Sequence, residues 1–357
     1  MRILVIGGTG FIGPHLVRQL ADSGHAVTVL HRGRTQADLP ATFVLGDRRD
    51  IASLGLKPEI VIDLILSSGA QAQALMQGFR GVAQRVVAAS SIDVYRACGI
   101  LHGTEEGPLE PVPLTEESPL RTTLQTYPPA QIKALQVVFG WLDDEYDKIP
   151  VERAVLNDPA LPGIVVRLPM IYGPGDHLAR FYPLLKRMDD GRPAILFEKG
   201  WAAWRTPRGY VENVAAAIAL AAVSENAKGV YNVSEEPAYS ELEWARKIAQ
   251  ATGWTGEFVV TSKDRLPPHL APPGNSAQHW TADSSRIRRE LGYREPINEP
   301  EAIRRTIEWQ RGNASAAPFN LHTFDYEAED AALKQITLEK IAAAQKSLHP
   351  FGAADNL

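Results

Sequence analysis

A glycine-rich turn between a strand and a helix leaves a chain few folds to choose from, and this one opens on it: MRILVIGGTGFIGPHLVRQLADSGHAVTVLHRGR. Arg2-Ile3-Leu4-Val5-Ile6 is apolar and β-branched, which predicts a short buried strand. Gly7, Gly8, Thr9, Gly10, Phe11, Ile12 and Gly13 turn the chain, and Leu16, Val17 and Leu20 follow at helical spacing. Gly24 closes that helix, and Ala26-Val27-Thr28-Val29-Leu30 predicts a second strand. Such a turn lets backbone approach a pyrophosphate and aims the free N–H groups of the helix N-terminus at its charge. A lone G-x-G-x-x-G run is a weak signal. Here Gly7-x-x-Gly10-x-x-Gly13 sits inside a complete strand–turn–helix–strand unit. That context predicts dinucleotide binding, with Gly7, Thr9, Gly10, Phe11, Ile12 and Gly13 as contacts.

The end of the second strand carries the cofactor preference. An Asp or Glu at this point grips the ribose hydroxyls of NAD. This chain has His31, followed by Arg32, Gly33 and Arg34. A carboxylate repels a 2′-phosphate, whereas a guanidinium pairs with it bidentately. The expectation is therefore NADP, with NAD as the alternative, contacted by His31, Arg32 and Arg34. The competing reading is a solvated basic loop that tolerates either. Thr42 to Leu45 predicts a third strand, and Asp47 beyond it lies near the adenine or serves only the turn.

A chain of 357 residues with 45% hydrophobic and 22% charged residues has ample core for one large domain or two modest ones. The net charge of −5 argues against nucleic acid as a partner. A single cysteine, Cys98, excludes an internal disulfide and any cysteine-based metal site, and no metal ligand set is expected. No apolar run reaches the length of a membrane span, and residues 1–20 form a fold element, so a soluble cytoplasmic protein without a membrane partner is expected.

Strand and helix signals alternate through Glu59–Leu66, Ala70–Arg80, Arg85–Ser91 and Ile164–Leu168. That alternation predicts an α/β fold, a Rossmann-type doubly wound parallel sheet with a smaller C-terminal substrate-binding region. The expected division is residues 1–168 for the NAD(P)-binding domain, to which a helix at 211–222 returns, and 169–312 for substrate binding. Residues 313–357 then form a C-terminal extension with one amphipathic helix, Tyr326 to Ser347. Gly99 to Pro129 is rich in Pro, Glu and Thr and predicts a long surface excursion. Ser240 and Glu243 predict a capping box for a helix ending near Thr252.

Several stretches then fall in a familiar order: the N-terminal turn, Ser90-Ser91-Ile92-Asp93-Val94-Tyr95, Tyr172-Gly173-Pro174-Gly175-Asp176, Tyr210-Val211-Glu212-Asn213-Val214-Ala215 and Gly229-Val230-Tyr231-Asn232-Val233. Asp283-Ser284-Ser285-Arg286 and Glu290-Leu291-Gly292-Tyr293 continue it. Across about residues 1–310 the chain resembles extended, atypical short-chain dehydrogenases/reductases of the NAD(P)-dependent epimerase/dehydratase branch. The resemblance implies that Ser91, three residues before Val94, hydrogen-bonds the reacting oxygen. It implies a homodimer, a Tyr acid/base four residues before a Lys on one helix, and a Lys that binds the cofactor ribose. A phenol titrating near 10 needs a neighbouring cation to act as a base at neutral pH.

This chain departs from that spacing. Lys148 occupies the lysine position, yet Asp144 stands four residues before it. Tyr146 is two residues away, turned about 200° on an ideal helix unless the segment before Lys148 is not helical. Tyr127, after Glu116-Glu117-Ser118-Pro119, has family-like spacing from Pro119 but is separated from Lys148 by an insertion. Tyr127 and Tyr146 both remain candidates. Asp93 matches the Glu that serves dehydratase members as a base, or else it caps a turn. Arg96 adds a cation near the expected pocket.

For substrate, the resemblance points to Tyr172, His177, Arg180 and Arg208, while Trp201 and Trp204 supply either an apolar wall or core. Met170 stands where nucleotide-sugar members often have Asn, and Arg205 and Arg208 are out of register with their diphosphate-gripping Arg. Two functions follow. One is NADP(H)-dependent oxidoreduction, epimerisation or dehydration of a small hydroxylated or carbonyl compound, with a sugar-like compound as one alternative. The other is a cofactor-binding sensor or interaction protein with a degenerate Tyr–Lys pair.

Overall fold

The computed structural model describes residues 1–348 except Arg34, Gln36, Thr126, Pro273 and 314–323. In chain order the strands are β1 (Arg2–Ile6), β2 (Ala26–His31), β3 (Thr42–Leu45), β4 (Ile60–Asp63), β5 (Arg85–Ser91), β6 (Gly163–Leu168), β7 (Met170–Tyr172), β8 (Ala194–Glu198), β9 (Arg208–Tyr210), β10 (Gly229–Asn232) and β11 (Glu257–Thr261). The helices are α1 (Gly13–Asp22), α2 (Gly69–Phe79), α3 (Arg96–His102), α4 (Pro129–Val138), α5 (Lys148–Leu156), α6 (Tyr182–Asp189), α7 (Lys199–Ala203), α8 (Val211–Val223), α9 (Glu241–Thr252), α10 (Ser285–Leu291), α11 (Glu299–Gly312) and α12 (Tyr326–Leu348).

Among the described residues a seven-stranded sheet runs β10-β6-β5-β4-β1-β2-β3, every neighbouring pair parallel. Alternation along β1 divides its side chains between two layers. Ile3 and Val5 pack toward α1 and α8, with Leu16, Val17, Leu20, Val214 and Ile218. Leu4 and Ile6 pack toward α2 and α5, with Leu75, Met76, Val151 and Val155. The order reverses between β1 and β4, the place where an open α/β sheet leaves a crevice at its carboxyl edge.

The smaller region is built around aromatic side chains, with Tyr172, Phe181, Tyr210 and Trp244 in one buried cluster. The capping box of Ser240 and Glu243 opens α9 as the sequence predicts. Strand β4 is shorter than the predicted Glu59–Leu66, because Asp63 Oδ1 accepts Ile65 N–H at 2.9 Å and turns the chain.

The expected surface excursion over Gly99–Pro129 holds for most of its length, which is exposed or half-buried, but Ile100, Leu101 and Leu114 are core residues and the Arg121 side chain is enclosed. Helix α12 packs on this same chain. Glu329 is buried on the Arg187 guanidinium at 2.5 Å, and Ile336 is buried with Leu196, Val259 and Leu266. It is less amphipathic than expected, since Leu338 and Ile341 are exposed. Among the described residues no helix is long and apolar enough to cross a membrane.

Candidate functional site

A cleft of about 1040 Å³ opens at the carboxyl edge of the sheet, lined from the glycine turn to Lys148. Its glycines are demanded by different neighbours. Gly7 has φ +87°, and a Cβ there would lie 2.8 Å from Ile65 Cγ2. A Cβ on Gly13 would lie 2.4 Å from the Gly7 carbonyl oxygen, so helix-to-strand packing requires it. A Cβ on Gly10 meets no protein atom closer than 3.5 Å. Protein packing therefore leaves Gly10 free, and the open volume it borders is space a close-lying phosphate would use. Helix α1 begins here with no side-chain cap, so its first N–H groups remain for an anion. Gly7, Thr9, Gly10, Phe11 and Ile12 line the cleft, and Gly13 is buried behind them. The residues present fit a dinucleotide.

At the end of β2, His31 and Arg32 line the cleft. His31 meets the Phe43 ring edge-on at 5.4 Å, and Arg32 Nη2 donates to Gly140 O at 3.2 Å. Arg34 lies outside the described residues. Asp47 also lines the cleft, and it caps the turn at Arg48–Leu54 by accepting Arg49 N–H, the turn role that the sequence offered. The Arg49 side chain bonded to it holds its carboxyl down to about 2. Sequence reasoning missed Arg48, a lining residue whose guanidinium bonds buried Asp63 at 2.5 Å and Ile65 O at 2.9 Å. The run Arg48-Arg49 directly after Asp47 was the available signal.

At the opposite end, β5 delivers Ser91 to the cleft, and its Oγ accepts Asp93 N–H at 3.2 Å. The segment before Lys148 is not helical, the alternative that the sequence left open for Tyr146. Helix α4 ends at Val138, Phe139–Asp147 is non-helical, and Asp147 caps α5 by accepting Ile149 N–H at 2.8 Å. Tyr146 is thus freed from helical geometry, and its hydroxyl donates to Asp93 Oδ2 at 3.2 Å. The Tyr127 hydroxyl reaches the same oxygen at 3.4 Å. Both candidate phenols converge on one carboxylate. Tyr146 lines the cleft, whereas Tyr127 lies behind it.

Lys148 is buried and donates to Leu66 O at 2.5 Å and Ala89 O at 3.1 Å, with its Nζ 5.8 Å from the Tyr146 ring centre. Burial pulls its ammonium down to about 8, against the attraction of Asp93 and Asp63. Burial likewise pushes the Asp93 carboxyl up, outweighing Arg121 and Lys148. The Tyr146 phenol is pushed up by burial and then by Asp93, so it stays protonated at neutral pH. Arg121 was not anticipated. It donates from Nε to Asp93 O at 2.6 Å and faces Asp147 at 3.3 Å, tying the 121–125 segment beneath the site. Nothing local in the sequence marks it. Behind Ser91, the Ser90 hydroxyl donates to Glu152, which pairs bidentately with Arg167, whose Nη1 donates to the Tyr95 hydroxyl.

The substrate candidates divide. His177 borders the cleft with its ring 6.3 Å from those of Phe11 and Phe139. Arg180 borders it too, but its Nη1 is held by Asp176 at 2.6 Å and Ile171 O at 2.7 Å. Tyr172 does not reach the cleft. It is fully buried, with its hydroxyl on Glu235 and its ring stacked on Phe181 at 5.3 Å. Arg208 is also a correction, buried on Glu241 at 2.6 Å and over the Trp244 ring. Arg96 pairs with Glu110 and not with the pocket. Trp201 and Trp204 stack on each other at 4.3 Å and belong to packed structure.

The model of the family described as "NAD dependent epimerase/dehydratase family" matches residues 3–234, more than half the chain. A 2′-dehydrokanamycin reductase from Streptomyces kanamyceticus is 26% identical over 78% of this chain and 82% of its own length. A dTDP-glucose 4,6-dehydratase from Streptomyces niveus is 25% identical, covering 88% of this chain and 94% of its own. Among solved structures, a dTDP-glucose 4,6-dehydratase from Streptomyces venezuelae with NAD bound superposes with a TM-score of 0.62 at 23% identity, covering 89% of this chain and 99% of the other. UDP-glucose 4-epimerase from Thermotoga maritima gives a TM-score of 0.61 at 19% identity, covering 88% and 100%. Those two likenesses show the shared fold.

Proposed function

Because the chain belongs to the NAD-dependent epimerase/dehydratase family, we propose that it is an NADP(H)-dependent oxidoreductase that reduces a carbonyl on a small, sugar-like substrate. One observation carries this reading: Ser91, Tyr146 and Lys148 border the same cleft as the glycine turn, and the Tyr146 phenol rests on Asp93. When bound, the nicotinamide supplies or accepts the hydride.

The chain's own residues do the rest. Gly7, Thr9, Gly10, Phe11, Ile12 and Gly13 form the phosphate turn; His31, Arg32, Arg34 and Asp47 serve the adenosine end, with Arg32 favouring a 2′-phosphate. Lys148 holds the nicotinamide ribose. The Ser91 hydroxyl polarises the substrate oxygen, and Tyr146 O–H gives its proton to that oxygen as it gains charge. Asp93 accepts the Tyr146 O–H and orients the phenol, and the phenolate left after the transfer regains its proton from solvent. A phenol resting on a carboxylate stays protonated, which suits proton donation in reduction better than proton removal in oxidation. His177 and Arg180 border the substrate end.

The relatives' names span a reductase and a dehydratase. The test is native mass spectrometry of purified protein, then NADPH and NADH titration, then NADPH oxidation against a panel of keto-sugars and aldehydes. Reversible binding that favours NADPH, with turnover, supports a reductase. Cofactor retained through purification and no net oxidation would favour epimerisation or dehydration instead. Failure to bind either cofactor would remove the enzymatic reading.

A further inference from the structure

The segment that breaks the helix before Lys148 crosses the cleft. Phe139, Trp141, Asp143 and Tyr146 all line it. Asp143 anchors one end by accepting from Ser67, Ser68 and Gln71 at 3.2, 2.7 and 2.9 Å. Helix α4 holds the other. Between them the Gly140 carbonyl is bonded to Arg32 across the mouth, and the Phe139 ring faces His177 on the far wall. Trp141 reaches inward, its ring centre 5.4 Å from Lys148 Nζ and 6.5 Å from that of Tyr146. A dinucleotide stretched from Arg32 to Lys148 would run beneath this strap.

We propose that Phe139–Trp141 is a lid over the cofactor cleft and that Arg32 is its latch, so that one residue both reads the adenosine ribose and governs access to Lys148. The inference rests on the dinucleotide reading of the cleft. Arg32 holds the lid through a single exposed bond to a neutral carbonyl oxygen. A 2′-phosphate offers the guanidinium a charge-assisted, bidentate partner, which is the stronger of the two. Arg32 then leaves Gly140, and the strap carrying Trp141 is released from above Lys148. NAD lacks that phosphate and leaves the latch closed. Trp141 is on this account a positioning residue for cofactor specificity.

The test uses adenosine 2′,5′-bisphosphate and adenosine 5′-monophosphate on the full chain. Neither carries a nicotinamide, so neither can quench tryptophan by energy transfer from the far end of the cleft. Trp141 emission is read as the difference between wild type and Trp141→Phe, and amide hydrogen exchange is followed over residues 139–146. The bisphosphate is expected to alter Trp141 emission and speed exchange in the strap, and the monophosphate to do neither. In Arg32→Ala the strap is expected to exchange fast from the start and ignore both probes. An equal response to both probes, or a strap indifferent to the bisphosphate while NADPH still binds, would overturn the latch and leave the cofactor reading standing. If neither NADPH nor the bisphosphate binds, the cofactor reading falls and takes the latch with it.

Discussion

Replacing each phenol in turn separates two tyrosines that the structure ties to one oxygen. Tyr146 and Tyr127 both donate to Asp93 Oδ2, at 3.2 and 3.4 Å. Hydrogen bonds to a charged group contribute about 1.5–3 kcal/mol, and these are longer than the usual O–H···O range, so each contributes about 1–1.5 kcal/mol. Tyr146→Phe and Tyr127→Phe therefore lower stability by similar, small amounts, roughly 1–2 °C in Tm for a chain of this length. Activity should separate them. Tyr146 borders the cleft and Tyr127 does not, so Tyr146→Phe is expected to lower kcat by about 10²–10⁴-fold, the usual worth of a positioned acid. Tyr127→Phe should stay within about threefold of wild type, a barrier change of less than about 0.7 kcal/mol. The assay is single-turnover NADPH oxidation beside urea unfolding on the same preparations. Equal loss of kcat in both variants, with equally small shifts in their unfolding midpoints, would refute the assignment of the proton to Tyr146 alone.

Glu152→Ala strands the Arg167 guanidinium, each side chain of the pair being 3% exposed, and should cost about 3–5 kcal/mol in urea unfolding. The double variant Glu152→Leu with Arg167→Met is expected to regain much of that loss, because a buried pair replaced by apolar groups is often neutral. Gly10→Ala should leave the unfolding free energy within about 0.5 kcal/mol of wild type but weaken NADPH binding at least about tenfold by calorimetry, whereas Gly13→Ala should destabilise the fold outright. Lys148 has its ammonium lowered to about 8 from an ordinary 10.5, so the unfolded chain binds more protons between those values. Its contribution to stability should therefore rise with pH across that window, relative to Lys148→Met in parallel unfolding curves. Cofactor affinity that depends on the ammonium should fall through the same window, read by NADPH titration.

The N-terminal unit was legible because its signals are local. The alternation of β1, the glycine at φ +87° and the helical spacing of Leu16, Val17 and Leu20 all lie within the first twenty residues. The capping box of α9 was legible for the same reason. Tyr172 and Arg208 were misread because motif position says nothing of direction. Their partners, Glu235 and Glu241, come from more than thirty residues along the chain and draw both side chains into the aromatic core. The convergence of Tyr127 and Tyr146 on Asp93 was hidden in the same way, since it depends on Arg121 binding both Asp93 O and Asp147.

The displaced dyad, however, carried a local signal. Asp147-Lys148-Ile149-Pro150 places a good N-cap residue before a proline in the first helical turn. The first four N–H groups of a helix have no intrahelical acceptor, so Pro150 costs little where α5 begins at Lys148. Had the helix run through Asp144 to Lys148, Pro150 would stand in its interior. It would then clash with the Tyr146 carbonyl and leave it without a donor, at a cost of about 3 kcal/mol. An i, i+4 pairing onto Lys148 was therefore excluded by a residue two positions beyond it. That exclusion in turn required any phenol serving Lys148 to come from extended chain, which is where Tyr146 stands.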